Sequence, residues 1–131
     1  MPDLILLEDD AVLREELCEF LMACGHRVDA VVSLAEFWQH YEPTRHQLAV
    51  IDLGLPDGAG PQLIQSLRHQ RAPLAIVALT ARNTPHERRQ VLDCGANHLL
   101  TQHADLGELA DALGALAMAA KPDTPSPRCN P

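Results

Sequence analysis

The chain has 131 residues, 47% apolar and 21% charged, which is the size and make-up of one globular domain rather than a disordered segment. Its formal net charge of −8 argues against nucleic acid or an anionic membrane surface as a direct partner. The aromatics are Phe20, Phe37, Trp38 and Tyr41, too few and too clustered to make a base-stacking platform.

Short apolar strands alternate with helical stretches. Leu4–Leu7 (LILL) reads as the first strand. Apolar residues at 13, 17, 20, 21 and 24 give Ala11–Cys24 the period of an amphipathic helix, and Gly25 is its stop. Arg27–Val32 is a second strand, and the capping box Ser33-Leu-Ala-Glu36 opens a short helix to about Tyr41. Gln47–Ile51 is the third strand. Gly60-Pro61 starts the next helix, with proline where a missing N–H costs nothing. Leu74–Leu79 (LAIVAL) is a fourth strand, apolar throughout and so covered on both faces. Thr84-Pro85-His86-Glu87 is a second capping box, and Gly95 closes that helix. His98–Thr101 is a fifth strand. Asp105 and Glu108 repeat the capping spacing and open an alanine- and leucine-rich helix to about Ala120. Residues 1–120 thus form one domain, and 121–131 (KPDTPSPRCNP) a proline-rich linker or tail.

Five strand–helix units predict an α/β fold: a five-stranded parallel sheet in the order 2-1-3-4-5, doubly wound and flavodoxin-like, (βα)5. In that topology ligands bind outside the C-terminal strand ends, at the switch between strands 1 and 3. Strand 1 runs into Glu8-Asp9-Asp10 and strand 3 into Asp52, so the acids fall where the crevice forms. Carboxylates about 4–6 Å apart repel by roughly 1 kcal/mol per pair in water-like surroundings and by more when buried. A retained proton or a hard divalent cation relieves this, and Mg2+ fits a few carboxylates completed by a phosphate oxygen. A carboxylate beside such an ion is a nucleophile toward phosphorus, and Asp52, the acid ending the central strand, is the candidate. Thr80, after the fourth strand and level with Asp52, offers a hydroxyl to a phosphoryl oxygen, with small Ala81 leaving room for water.

The stretches LILLEDD, VIDLGLPDGAG, VALTA and CGANHLL, in this order and at these intervals over residues 3–120, resemble the receiver domains of two-component response regulators, CheY-like in fold. The resemblance implies that Asp52 accepts phosphate from a sensor histidine kinase or a small phosphodonor. It also implies that Glu8, Asp9, Asp52 and the backbone carbonyl of Gly54 hold Mg2+. Two positions depart from the family pattern. Gln102 stands at the usual lysine position and His103 at the usual proline, while Leu99 replaces the usual tyrosine or phenylalanine. A neutral donor in place of an ammonium lowers phosphoryl stabilisation by on the order of 1–2 kcal/mol. Leucine has no ring to swing, so the usual relay through Thr80 is expected to be weakened or altered.

The expected function is therefore an atypical receiver, a phosphoacceptor rather than a dedicated enzyme, regulating an output such as transcription through dimerisation or interdomain contacts. Arg88 and Arg89 on one helix and Asp105, Glu108 and Asp111 on the next suggest pairing across a homodimer formed by residues 85–120. The proline-rich tail suggests a linker to a further module, such as a DNA-binding domain. The alternative is a phosphorylation-independent pseudo-receiver acting as an interaction module. A haloacid-dehalogenase-type phosphatase is disfavoured because Gly54 occupies the place of its second acid. No apolar run is long enough to span a membrane, and MPDLILLEDD turns acidic too soon for a signal peptide. Cys18, Cys24, Cys94 and Cys129 lack metal spacing, and the expectation is reduced thiols in a cytoplasmic protein, with Cys18 and Cys24 buried in their helix. The histidines show no ligand spacing.

Overall fold

The computed structural model describes residues 3–54, 60–80, 85–101 and 106–119. Its elements alternate in chain order: β1 (Asp3–Leu7), α1 (Ala11–Ala23), β2 (Arg27–Val31), α2 (Leu34–His40), β3 (His46–Asp52), α3 (Gly60–His69), β4 (Ala75–Thr80), α4 (Pro85–Cys94), β5 (His98–Thr101) and α5 (Leu106–Ala119). Every strand pair is parallel, and the sheet order is β2-β1-β3-β4-β5, as the alternation of elements predicts. The tail 121–131 lies outside the described residues, as do the helix-opening residues Thr84 and Asp105.

The pleat sends alternate strand residues into two separate cores. On one face Ile5, Leu7, Ala49, Ile51, Ile76, Ala78 and Leu99 pack with Phe37 of α2, Leu63, Ile64 and Leu67 of α3, and Val91 of α4. On the other, Leu4, Leu6, Leu48, Val50, Val77 and Leu79 pack with Leu17 and Leu21 of α1 and with Leu109 and Leu113 of α5. This is why β1 and β4 are apolar without alternation: both of their faces are covered. Burying each such leucine stabilises by roughly 1.5–3 kcal/mol, so these two layers hold the sheet. β2 is one edge of the sheet, and exposes Arg27 and Ala30.

Helix ends follow local chemistry. Asp10, in extended backbone, caps α1: its Oδ1 accepts from the N–H groups of Val12 and Leu13 at 3.0 and 3.2 Å. Gly25, at φ 101°, takes the left-handed conformation that ends α1. At α2, Ser33 Oγ accepts from the Glu36 N–H at 3.2 Å. Glu36 Oε1 reaches back to the Val32 N–H, one residue earlier than a standard capping box requires.

Three details correct the sequence reading. Both central strands run one residue further than their apolar stretches, because the backbone ladder does not stop where side chains turn polar. Asp52 pairs with Leu79 and Thr80 with Thr101, so each acid or hydroxyl is the last residue of a strand. Thr80 is consequently not level with Asp52 but one register step beyond its partner. Finally, Cys24 is exposed, since it caps α1, whereas Cys18 and Cys94 are half-buried; all three are free thiols, and Cys129 lies outside the described residues. Among the described residues no helix is long and apolar enough to cross a membrane.

Candidate functional site

β1 and β3 are neighbours, and their C-terminal ends bring three carboxylates together. One oxygen each from Glu8, Asp9 and Asp52 lies within 4.8 Å of the others. Glu8 and Asp52 are 1% and 2% exposed, while Asp9 opens to solvent. The pleat explains the meeting. Leu6 pairs with Val50, and two residues further along each strand the same face carries Glu8 and Asp52. The Glu8 N–H extends the ladder by donating to the Val31 carbonyl at 3.1 Å.

Glu8 is the strained member of the group. Its Oε2 accepts from the Asp10 N–H at 3.1 Å, but its buried Oε1 has no hydrogen-bond partner. Burial pushes the Glu8 carboxyl up to about 8; the adjacent Asp52 adds to this, as does the charge of Asp9, against the opposing bond from Asp10. A buried acceptor left without a donor costs about 1–3 kcal/mol, more when charged. A hard cation among these oxygens satisfies that atom and screens the repulsion. Three carboxylates, with neither sulfur nor imidazole, form a donor set suited to Mg2+.

Asp52 is held from two sides. The Gly54 N–H donates to its Oδ1 at 2.9 Å, so the turn after β3 orients the carboxylate. Behind it, Gly60 opens α3 in close contact with the end of β3. A Cβ there would lie 3.0 Å from Leu53 Cα and 3.2 Å from the Asp52 carbonyl oxygen. Only glycine lets α3 start this near to the acid.

Other expected residues fall as follows. Asp10 is spent on capping α1, which explains why a third acid follows the pair. Thr80 is buried at the same rim, on the pleat of Ala78 rather than that of Asp52. Leu99 is 1% exposed and belongs to the core on the α3–α4 side. Ala81, Gln102 and His103 lie outside the described residues. Arg88, Arg89 and Leu92 of α4 are exposed, as are Glu108 and Asp111 of α5; Asp105 lies outside the described residues.

Two residues were invisible to motif reading. Arg14 of α1 donates from Nη1 to the Glu8 carbonyl oxygen at 3.0 Å and approaches that of Asp9 at 3.5 Å. His46, at the opposite end of β3, is wholly buried: its Nδ1 accepts from the Glu42 N–H at 2.9 Å and its Nε2 faces Asp29 Oδ2 at 2.7 Å. Neither contact has a sequence signature, since one ends on backbone and the other joins residues 17 apart.

The profile of the response regulator receiver domain matches residues 4–114. The two-component response regulator PhoP of Pseudomonas aeruginosa is 39% identical over 113 residues, which are 86% of this chain and 50% of that protein. The virulence transcriptional regulatory protein PhoP of Salmonella typhimurium is 33% identical over 116 residues, 88% of this chain and 52% of that protein. The chain thus spans about half the length of these relatives. Among solved structures, the non-phosphorylated HemR receiver domain from Leptospira biflexa superposes with a TM-score of 0.81 at 31% identity, over 88% of this chain and 94% of that one. The Thermotoga maritima OmpR/PhoB homologue DrrB gives 0.82 at 20% identity, over 92% of this chain and 54% of that one, a likeness of fold alone. With the acid cluster at the switch point of a β2-β1-β3-β4-β5 sheet, the chain belongs to the receiver-domain family of two-component response regulators.

Proposed function

We propose that this receiver domain accepts a phosphoryl group on Asp52, with Mg2+, and thereby regulates an output such as transcription. The observation that carries the reading is the convergence of Glu8, Asp9 and Asp52, with one buried Glu8 oxygen lacking a donor. Asp52 is the nucleophile: its oxygen forms the new bond to phosphorus, and the leaving group of the donor departs with the electron pair of the broken bond. The donor is a sensor histidine kinase or a small phosphodonor. Glu8, Asp9, Asp52 and the Gly54 carbonyl hold the ion, which when bound neutralises the charge between carboxylate and incoming phosphoryl group. The Gly54 N–H orients the attacking carboxylate, and Thr80 donates its hydroxyl to a phosphoryl oxygen.

Switching is weakened relative to ordinary members. Gln102 supplies a neutral donor where the family has a cation, a deficit of about 1–2 kcal/mol in phosphoryl stabilisation. Leu99 fills the core in place of a mobile ring. The exposed Arg88, Arg89 and Leu92 of α4 and Glu108 and Asp111 of α5 support a homodimer through residues 85–120. The coverage of half of each PhoP relative, one of them described as a transcriptional regulatory protein, supports a further domain in the full protein, which we take to be a DNA-binding domain of a cytoplasmic regulator. The receiver itself acts as a phosphoacceptor rather than a dedicated enzyme.

The test is intact mass after incubation with Mg2+ and acetyl phosphate, beside an Asp52→Asn control. One added phosphoryl group, absent from the control, is the expected result. No addition across donors and pH would favour the pseudo-receiver reading, to which the buried Leu99 is the pointer.

A further inference from the structure

The turn between β1 and α1 carries two of the three clustered carboxylates, yet it is a short piece of chain with no apolar side chain of its own. Something must fix it. Five hydrogen bonds do so: Asp10 Oδ1 accepts from the Val12 and Leu13 N–H groups, the Asp10 N–H donates to Glu8 Oε2, and the Arg14 guanidinium reaches the Glu8 and Asp9 carbonyls. Helical side chains lean toward the helix N-terminus, so a long side chain in the second turn folds back over the first. Arg14 is placed to do this, and its own N–H is satisfied by the Asp10 carbonyl at 2.8 Å.

We propose that Arg14 is a positioning residue for the metal site: by clamping the main chain of Glu8 and Asp9 it sets the aim of their carboxylates, without touching ion or phosphoryl group. This rests on the reading of Glu8, Asp9 and Asp52 as Mg2+ ligands. Its contacts are to backbone carbonyls rather than carboxylates, which separates clamping from charge compensation. The two roles predict opposite signs. A cation acting only through its charge repels a nearby divalent ion, so its removal tightens Mg2+ binding. A clamp that is removed lets the ligands wander and weakens binding, by on the order of tenfold as for other residues that orient metal ligands.

The experiment is a calorimetric Mg2+ titration of the intact chain and of Arg14→Met and Arg14→Lys, with metal-free urea unfolding of each as a control. Methionine keeps the length and helix propensity without a donor; lysine restores one charged donor. The expected result is weaker binding in Arg14→Met, an intermediate value in Arg14→Lys, and closely similar unfolding midpoints. If Arg14→Met does not fold, the drop in Arg14→Lys carries the test. Unchanged or tighter binding in the folded variants overturns the clamp while leaving the site reading intact. If the unaltered chain binds no Mg2+, or Asp9→Asn binds as well as it does, the site reading falls and the clamp with it.

Discussion

The two ends of the sheet each gather three carboxylates and treat them in opposite ways. At the C-terminal rim Glu8, Asp9 and Asp52 crowd together, and burial raises the Glu8 carboxyl to about 8. At the N-terminal rim Asp3, Asp29 and Glu42 surround Arg45, which bonds all three at 2.7, 2.7 and 2.8 Å. There burial alone would push Asp29 up, but the bonds from His46 and Arg45 reverse it and hold its carboxyl below the usual range. Glu42 is lowered by its bond to Arg45, whose own guanidinium is correspondingly raised. At the N-terminal rim each carboxylate has a guanidinium donor, whereas at the C-terminal rim a buried Glu8 oxygen has none. Equal acid content therefore does not make equal sites. What distinguishes the candidate site is a buried carboxylate oxygen left without a donor beside two further acids.

This contrast can be broken most severely at His46. Its imidazole presents Nε2 to Asp29 as the donor, because Nδ1 already accepts from the Glu42 N–H. His46→Ala leaves a cavity, an unpaired N–H and a carboxylate missing a partner, and is expected to lower unfolding stability by about 3 kcal/mol. Urea unfolding checks this, with Mg2+ affinity expected to stay unchanged. The opposite rim should answer with the opposite sign. Asp52→Asn removes a buried charge beside Glu8 and Asp9, and metal-free stability is expected to rise by about 1–2 kcal/mol while phosphoryl acceptance disappears. A destabilised Asp52→Asn would mean that the upper acids are compensated after all.

The smallest effect is in acid. A carboxyl lowered in the folded state stabilises above its unfolded value and loses that contribution as pH falls through the folded one. For Asp29 the contribution is complete above 3.8 and fades below it. Asp29→Asn is expected to flatten the acid limb of a stability–pH curve below that value. An unaltered limb would mean the lower network does not govern acid unfolding.

Much of the fold was legible because strand identity and burial are local patterns. LILL and LAIVAL needed only their apolar runs, and Ser33 with Glu36 marked a helix start that the structure bears out. The acid cluster was legible through topology, since the strand order makes Glu8 and Asp52 neighbours. The lower network was not. Arg45 and His46 look like loop residues until the fold brings Asp3 and Asp29 from 42 and 16 residues away from Arg45. Arg14 was hidden for another reason: its partners are carbonyl oxygens, which every residue carries. Gly60 was read as a helix start, but the need for glycine comes from Leu53 and Asp52 behind it.

The aromatic cluster carries a practical corollary. The chain has a single tryptophan, and Trp38 sits edge-on to Phe37 and Tyr41, with Tyr41 stacked on His46. β3 runs from His46 to Asp52, so its length, about 20 Å, separates this chromophore's neighbourhood from the acids. Emission from Trp38 therefore belongs to the quiet rim. It should follow loss of structure faithfully and stay silent while an ion loads at the far end, which gives any spectroscopic titration of this domain a built-in reference.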